Sequence, residues 1–111
     1  MRRYHHIGIP TTTPRAGESY LERFGMYVSG YGTSEYGVEW MRFTPDSPVP
    51  ELVQTVPHVA FEVDDLEAEL RGKDILIAPN RTADGTLVAF IVENGAPIEF
   101  LSRLPREGSP D

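Results

Sequence analysis

The sequence has 111 residues, with 10 Lys and Arg against 17 Asp and Glu, a net charge of −7, and 40% hydrophobic residues. This acidic balance argues against a nucleic-acid or anionic-membrane surface, because phosphate binding needs clustered basic side chains. No apolar run approaches the ~20 residues of a membrane span, and no signal-peptide core follows the first arginines, so we expect a cytoplasmic protein. Because cysteine is absent, any metal must be held by His, Asp or Glu.

The first half of the chain is predicted to contain one strand, one helix and two further strands. The helix begins at Thr12 or Thr13, whose hydroxyl can cap its first turn, and it ends at Gly25. Its apolar face consists of Tyr20, Leu21 and Phe24. The three predicted strands occupy residues 4–9, 26–32 and 37–43.

The second half repeats this series of elements. A strand at 56–63 leads into a short helix that Asp64 or Asp65 caps and that ends at Gly72. Three strands follow, at 75–78, 87–92 and 97–102. Hairpin turns are predicted at Asp84-Gly85 and Asn94-Gly95, because these dipeptides readily adopt the positive φ angles of tight turns.

Each half carries a histidine near its start and a glutamate near its end. His6-Ile7-Gly8-Ile9 aligns with His58-Val59-Ala60-Phe61, and Val38-Glu39-Trp40 aligns with Ile98-Glu99-Phe100. The offset is 52 residues for the histidines and 60 for the glutamates, which predicts that the first half has lost about one hairpin's worth of chain. Four ionisable residues in matching positions indicate a duplicated module with a shared site.

Strand alternation places three of these four ionisable side chains on one face of the sheet. His6, His58 and Glu99 share the face away from the apolar side chains that should meet helices, and Glu62 lies on the same face as His58. By the same rule, His5 points to the helix side. If the two halves curl toward each other, two imidazoles and two carboxylates form a mixed N/O site suited to Zn, Ni, Co, Mn or Fe(II). The alternative for each single residue is an ordinary hydrogen-bonded or solvated side chain.

Three segments resemble the vicinal oxygen chelate superfamily, which includes glyoxalase I, methylmalonyl-CoA epimerase, extradiol dioxygenases and bleomycin-resistance proteins. They are the opening strand at 6–9, the segment at 57–67 and the closing strand at 94–101. The resemblance implies an α+β fold of two βαβββ modules, the first shortened, in a cupped mixed sheet around one divalent metal ion. We predict a single domain at 1–103, with modules at about 4–44 and 56–103, and a flexible tail at 104–111.

The resemblance also implies that His6, Glu39, His58 and Glu99 are the metal ligands. A divalent ion can stabilise the enolate that forms when a C–H proton next to the bound oxygens is lost. Glu99 is then the first candidate for the catalytic base and Glu39 the second. The favoured function is a glyoxalase-like lyase or isomerase that acts on a small oxygenated substrate. Dioxygenase chemistry is less favoured, because those enzymes are usually much longer.

Two other functions stay open at this point. The first is a metal-free, drug-sequestering protein of the bleomycin-resistance kind, and the second is a degenerate domain with a structural or regulatory role. Candidate substrate-binding residues are Trp40, Glu62 and Arg81, each of which has an ordinary core or solvated alternative. A homodimer is also predicted, because a small domain with an open cup gains core by pairing.

Overall fold

Eight strands form one mixed sheet in residues 1–103, the part of the chain that the computed structural model describes. The predicted tail at 104–111 lies outside these residues. In chain order the strands are β1 (Arg2–Pro10), β2 (Ser19–Leu21), β3 (Met26–Ser29), β4 (Val38–Phe43), β5 (His58–Val63), β6 (Asp74–Arg81), β7 (Leu87–Glu93) and β8 (Ala96–Ser102). Two short helices, α1 (Glu51–Thr55) and α2 (Leu66–Leu70), follow β4 and β5. Within this part of the chain, no helix is long and apolar enough to cross a membrane.

The sheet consists of two halves with the same internal order. Its spatial order is β2-β3-β4-β1-β5-β8-β7-β6, so β1 and β5 lie at the centre. Strand β4 is parallel to β1, and β8 is parallel to β5, while the remaining neighbours are antiparallel. The antiparallel pair of β1 and β5 joins the halves within one chain and relates them by an approximate twofold axis. The predicted α+β class and cupped mixed sheet are therefore confirmed.

The helix predicted between Thr12 and Gly25 is wrong. This part of the chain contains turns, the edge strand β2 and a single 3₁₀ turn at Glu22–Phe24. Gly17 has a φ of 78°, which an α-helix excludes. The first half contains four strands, β1 to β4, so it has not lost a hairpin as the sequence predicts. What it lacks is the helix that the second half has.

The second half keeps its helix. The Asp65 carboxylate caps α2 by accepting a hydrogen bond from the Ala68 backbone N–H at 3.2 Å, as the capping pattern predicts. Helix α2 packs on the convex face of the sheet, where the buried cluster comprises Val63, Leu66, Leu70, Ala89, Ile91 and Phe100. In the first half, the Arg15 guanidinium lies 4.6 Å from the centre of the Trp40 ring. An irregular segment thus covers the ring that a helix would otherwise bury.

Turns and the connection between the halves complete the cup. Asn94 and Gly95 have φ angles of 54° and 79°, which is the two-residue hairpin turn that their sequence predicts. The Asp84 carboxylate closes the other predicted turn by accepting hydrogen bonds from the Thr82 hydroxyl and the Thr86 N–H. The connection between the halves contains α1, whose Val53 is buried and lines the concave face of the sheet.

Candidate metal centre

The four residues implied as metal ligands lie together on the concave face of the sheet. His6 and Glu99 sit on either side of Ala60, which is paired with both of them in the strand register. Gly8 holds the equivalent place between the other two, because it is paired with both His58 and Glu39. Two small residues thus separate two His–Glu pairs, and the long side chains rise from neighbouring strands toward one point.

The donor atoms of three of these side chains, His6, His58 and Glu99, have the spacing of a coordination sphere, and Glu39 lies beside them. Glu99 Oε1 is 3.0 Å from His58 Nε2 and 3.3 Å from His6 Nε2, and Glu39 Oε1 is 3.5 Å from His6 Nε2. Ligand atoms about 2.1 Å from an ion are about 3.0 Å apart at right angles and about 3.4 Å apart in a tetrahedron. His6, His58 and Glu99 each offer a donor atom within 4.8 Å of the others. The residues present therefore fit a divalent ion.

The two glutamates differ in their electrostatic environment. Burial raises the pKa of Glu99, but the hydrogen bonds from His58 and His6 outweigh it and lower the pKa to about 2. Burial is also the largest influence on Glu39, and there it prevails over the attraction of His6, so the pKa of Glu39 is raised. Glu99 is therefore a permanent anion near neutral pH, whereas Glu39 takes up a proton more readily than an ordinary glutamate does.

His6 is the histidine of the site that contacts both glutamates. Burial lowers its pKa, but the hydrogen bond to Glu99 and the charges of Glu99 and Glu39 outweigh this effect, so the pKa of His6 is raised. A raised pKa means that protons compete with a metal ion for this ring.

His58 is held tightly by its neighbours. Its side chain is 2% exposed, and the edge of its ring meets Phe90 at a centroid distance of 4.9 Å. Gly8 lies directly beneath the ring, since a Cβ at this position would be 2.4 Å from His58 Cε1. Among the described residues, His58 Nδ1 finds no hydrogen-bond partner although it is buried. The orientation of His58 therefore depends on packing and on the bond from its Nε2 to Glu99.

The expectation that His5 points to the helix side is wrong, because its ring lies next to His6. The pairing of β1 with β5 shifts register between Tyr4 and His6, and this irregularity at His5 turns its ring toward the site. His5 Nδ1 is 2.8 Å from His6 Nδ1, and Arg103 Nη2 is 2.7 Å from His5 Nε2. Arg103 can only donate, so a neutral His5 carries its proton on Nδ1 and donates it to His6. A neutral His6 then carries its own proton on Nε2, facing the glutamates.

A cavity of about 210 Å³ opens above the four residues. One wall of the cavity comes from the first half and the connection between the halves, and the other comes from β6 and β7. Besides the four residues of the site, the lining comprises Leu21, Phe24, Met26, Val28, Met41, Val49, Val53, Ile77, Asn80, Thr82, Val88 and Phe90. The Arg23 guanidinium joins the walls, because it donates to Asn80 Oδ1 at 3.0 Å and to the Arg81 carbonyl. Arg23 lies in the 3₁₀ turn that directly follows the edge strand β2, and β6 is the opposite edge, so this contact shows how strongly the sheet curls.

The three candidate substrate-binding residues do not line this cavity. Trp40 points to the opposite face from Glu39 by strand alternation and lies under Arg15. Glu62 is beyond the site along β5, where its carboxylate is 3.7 Å from the Arg103 guanidinium. The Arg81 guanidinium folds back and donates to the Gly85 carbonyl within its own hairpin at 2.8 Å. Only its main-chain carbonyl takes part in joining the walls.

Several residues of the site were not anticipated, and only some of them left a signal in the sequence. Gly8 and Ala60 occupy matching positions of the repeat, so their small size could have been interpreted as space for the ligands. Phe90 could have been placed next to the site from the strand register of the Asn94-Gly95 hairpin. The contacts of Arg23 depend on sheet curvature, which no local pattern in the sequence reports.

Comparison with solved structures identifies the fold. The structure is similar to that of a hypothetical protein from Bacillus halodurans C-125, with a TM-score of 0.69 and 20% sequence identity over 95% of this chain and 96% of that chain. It is also similar to methylmalonyl-CoA epimerase from Mycobacterium tuberculosis, with a TM-score of 0.64 and 18% identity over 93% of this chain and 89% of that chain. No protein-family model and no curated protein sequence matches the chain. The chain thus has an α+β fold of the vicinal oxygen chelate type.

Proposed function

We propose that this protein is a divalent-metal-dependent isomerase or lyase that moves a proton next to two neighbouring substrate oxygens. The observation that carries the proposal is the group of two histidines and two glutamates, contributed by both halves, with donor atoms 3.0, 3.3 and 3.5 Å apart on the floor of a cavity. The similarity to an epimerase structure supports the same reaction class.

His6, His58 and Glu99 are the residues that would hold the ion, with Glu39 beside them. Imidazole and carboxylate donors suit Zn, Ni, Co, Mn or Fe(II). A divalent ion in this place supplies a positive charge that polarises both oxygens and stabilises the enolate formed on proton loss.

The two glutamates have different roles in this proposal. Glu99 remains ionised because both histidines hydrogen-bond to it, which suits a permanent ligand. Glu39 is the better base, because it lies beside the three residues that would hold the ion and approaches only His6, at 3.5 Å. This assignment reverses the order expected from the sequence. Glu39 would remove the proton from the substrate carbon and return it to the neighbouring carbon or to the opposite face.

The walls of the cavity serve the same chemistry. Phe90, Val88 and Ile77 on one side and Met26 and Val28 on the other give the space above the carboxylates apolar walls. A substrate bound between these walls would displace water, which would strengthen the electrostatic interactions inside and protect the enolate from solvent.

Metal content and proton exchange together test the proposal. Protein purified without a metal-affinity tag is expected to contain about one transition-metal ion per chain. It should also catalyse exchange of the α-proton of a small α-hydroxyketone such as 2-hydroxyacetophenone, which carries two neighbouring oxygens, with deuterated water. His58→Ala should lose both properties, whereas Tyr36→Ala, a change at an exposed residue outside the cavity, should keep both. Absence of metal together with ligand binding that survives His58→Ala would instead indicate a metal-free binding protein.

A further inference from the structure

We infer that the substrate is a small molecule whose body, beyond the two oxygens that face the histidines, is uncharged, apolar and no larger than about a substituted benzene ring. This inference rests on the proposed function and deepens it by naming the substrate class. It comes from the size of the cavity, the charge of its lining and the contact that joins its walls.

The size limit follows from the volume of the cavity. About 210 Å³ is available, less than the 300–1,000 Å³ typical of drug-sized ligands. An apolar cavity of about 150 Å³ accommodates benzene. The cavity therefore holds one ring and a small head group. A bulky carrier such as coenzyme A would have to remain outside.

The charge limit follows from the residues of the lining. Among residues 1–103, no lysine or arginine lines the cavity, and its ionisable groups are Glu39, Glu99 and the two histidines. A divalent ion would neutralise the two carboxylates and leave no positive charge for an anionic substituent. Such a substituent would be buried against side chains like Phe90 and Val88 without a partner, which is costly. Asn80 and Thr82 offer polar contacts without charge.

The Arg23 contact makes the size limit a structural one. Its guanidinium donates to Asn80 Oδ1 and to the Arg81 carbonyl, so two of its donor groups hold the opposite wall in place. Its charge also lies over the Phe24 ring, at 5.0 Å from the ring centre. Arg23 thus closes the gap between the edges of the sheet and is not among the residues that line the cavity.

Inert ligands with two neighbouring oxygens test the inference on zinc-loaded protein, whose metal content is measured first. We use benzohydroxamic acid and its 4-methyl, 4-carboxy and 4-phenyl derivatives, and we measure each Kd by calorimetry. The 4-methyl compound is expected to bind about as tightly as the parent, and the 4-carboxy compound about 100-fold more weakly, because its charge has no partner. The 4-phenyl compound should bind at least about tenfold more weakly because it exceeds the cavity.

Two variants separate size from charge. Arg23→Ala should improve binding of the 4-phenyl compound by about tenfold relative to its binding of benzohydroxamic acid. Arg2→Ala, which removes an exposed arginine paired with Glu69, should change neither affinity. Ile77→Lys places a cation in the wall and should improve binding of the 4-carboxy compound relative to the 4-methyl compound.

The outcomes distinguish this inference from the proposed function. A protein that takes up no zinc refutes both. A protein that takes up zinc, binds benzohydroxamic acid and binds the 4-carboxy or 4-phenyl compound as tightly as the 4-methyl compound refutes the substrate class alone. If Arg23→Ala abolishes unexpectedly tight binding of the 4-carboxy compound, Arg23 recognises anions, and the inference is likewise wrong.

Discussion

Gly8→Ala is the most direct test of how the site is built, because it adds one methyl group beneath a proposed ligand. The new Cβ would lie 2.4 Å from His58 Cε1 and 2.9 Å from both ring nitrogens. The ring has little free space, since it is buried and meets Phe90 on another side. We expect His58 to relieve the clash by a shift that stretches its 3.0 Å contact with Glu99.

The expected magnitude follows from overpacking and from loss of ligand orientation. Inserting a methyl group into a packed site costs about 1–3 kcal/mol of unfolding free energy. A misplaced metal environment typically costs about 10–100-fold in metal affinity. We therefore expect Gly8→Ala to lower the unfolding free energy of the metal-free protein by about 1–3 kcal/mol and its zinc affinity by at least about tenfold.

Two measurements and a matched control decide the outcome. Denaturant unfolding of the metal-free protein gives the stability change, and competition with a chelating dye gives the zinc Kd. Gly32→Ala is the control, because a Cβ there meets no atom within 4 Å and its φ lies outside the positive range. If Gly8→Ala binds zinc as tightly as the parent protein does, the close packing of His58 on β1 does not position a ligand and the reasoning fails.

Four further predictions concern the same centre and the assembly. Because the pKa of His6 is raised above 6.5, metal affinity should fall as the pH drops through that raised pKa. In the metal-free fold, the contribution of His6 to stability is full below about pH 6.5 and is lost as the pH rises through the raised pKa. Zinc titrations and unfolding curves across this range should show opposite trends, and parallel trends would contradict the assignment. Glu39→Gln should keep the metal and lose turnover, while Glu99→Gln should lose the metal, as elemental analysis and the exchange assay can show; metal loss in both variants would argue for two equivalent ligands. Arg103→Met should tighten zinc binding several-fold, because His5 can then carry its proton on Nε2 and accept a hydrogen bond from His6 Nδ1, which leaves His6 Nε2 free for the ion. An unchanged zinc Kd would show that Arg103 does not influence the protonation of His6. A homodimer should appear in sedimentation at micromolar concentration, and a monomer alone would contradict that prediction.

The sequence was informative wherever a short-range rule governs the structure. Strand alternation and the internal repeat placed His6, His58 and Glu99 on one face, and the register of β1, β4, β5 and β8 shows why they meet. The Asp65 cap and the Asn94-Gly95 turn were predictable because each depends on neighbouring residues alone.

The errors arose where tertiary structure overrides a local pattern. The apolar spacing of Tyr20, Leu21 and Phe24 indicated a helix, but pairing with β3 makes residues 19–21 an edge strand. His5 changed side because the register shifts at that residue, and a shift of this kind reverses every inference from alternation. The candidate role of Trp40 in substrate binding stays a prediction, although its face of β4 points away from the cavity.

The approximate twofold symmetry explains both the site and its division of labour. Duplication supplied two equivalent His–Glu pairs, and a strictly symmetric site would give both glutamates the same pKa and the same role. Here Glu99 contacts both histidines at 3.0 and 3.3 Å, whereas Glu39 approaches only His6, at 3.5 Å. This inequality drives the two pKa values in opposite directions in the metal-free site. In the proposed reaction, this departure from symmetry is what would separate a permanent ligand from a proton acceptor.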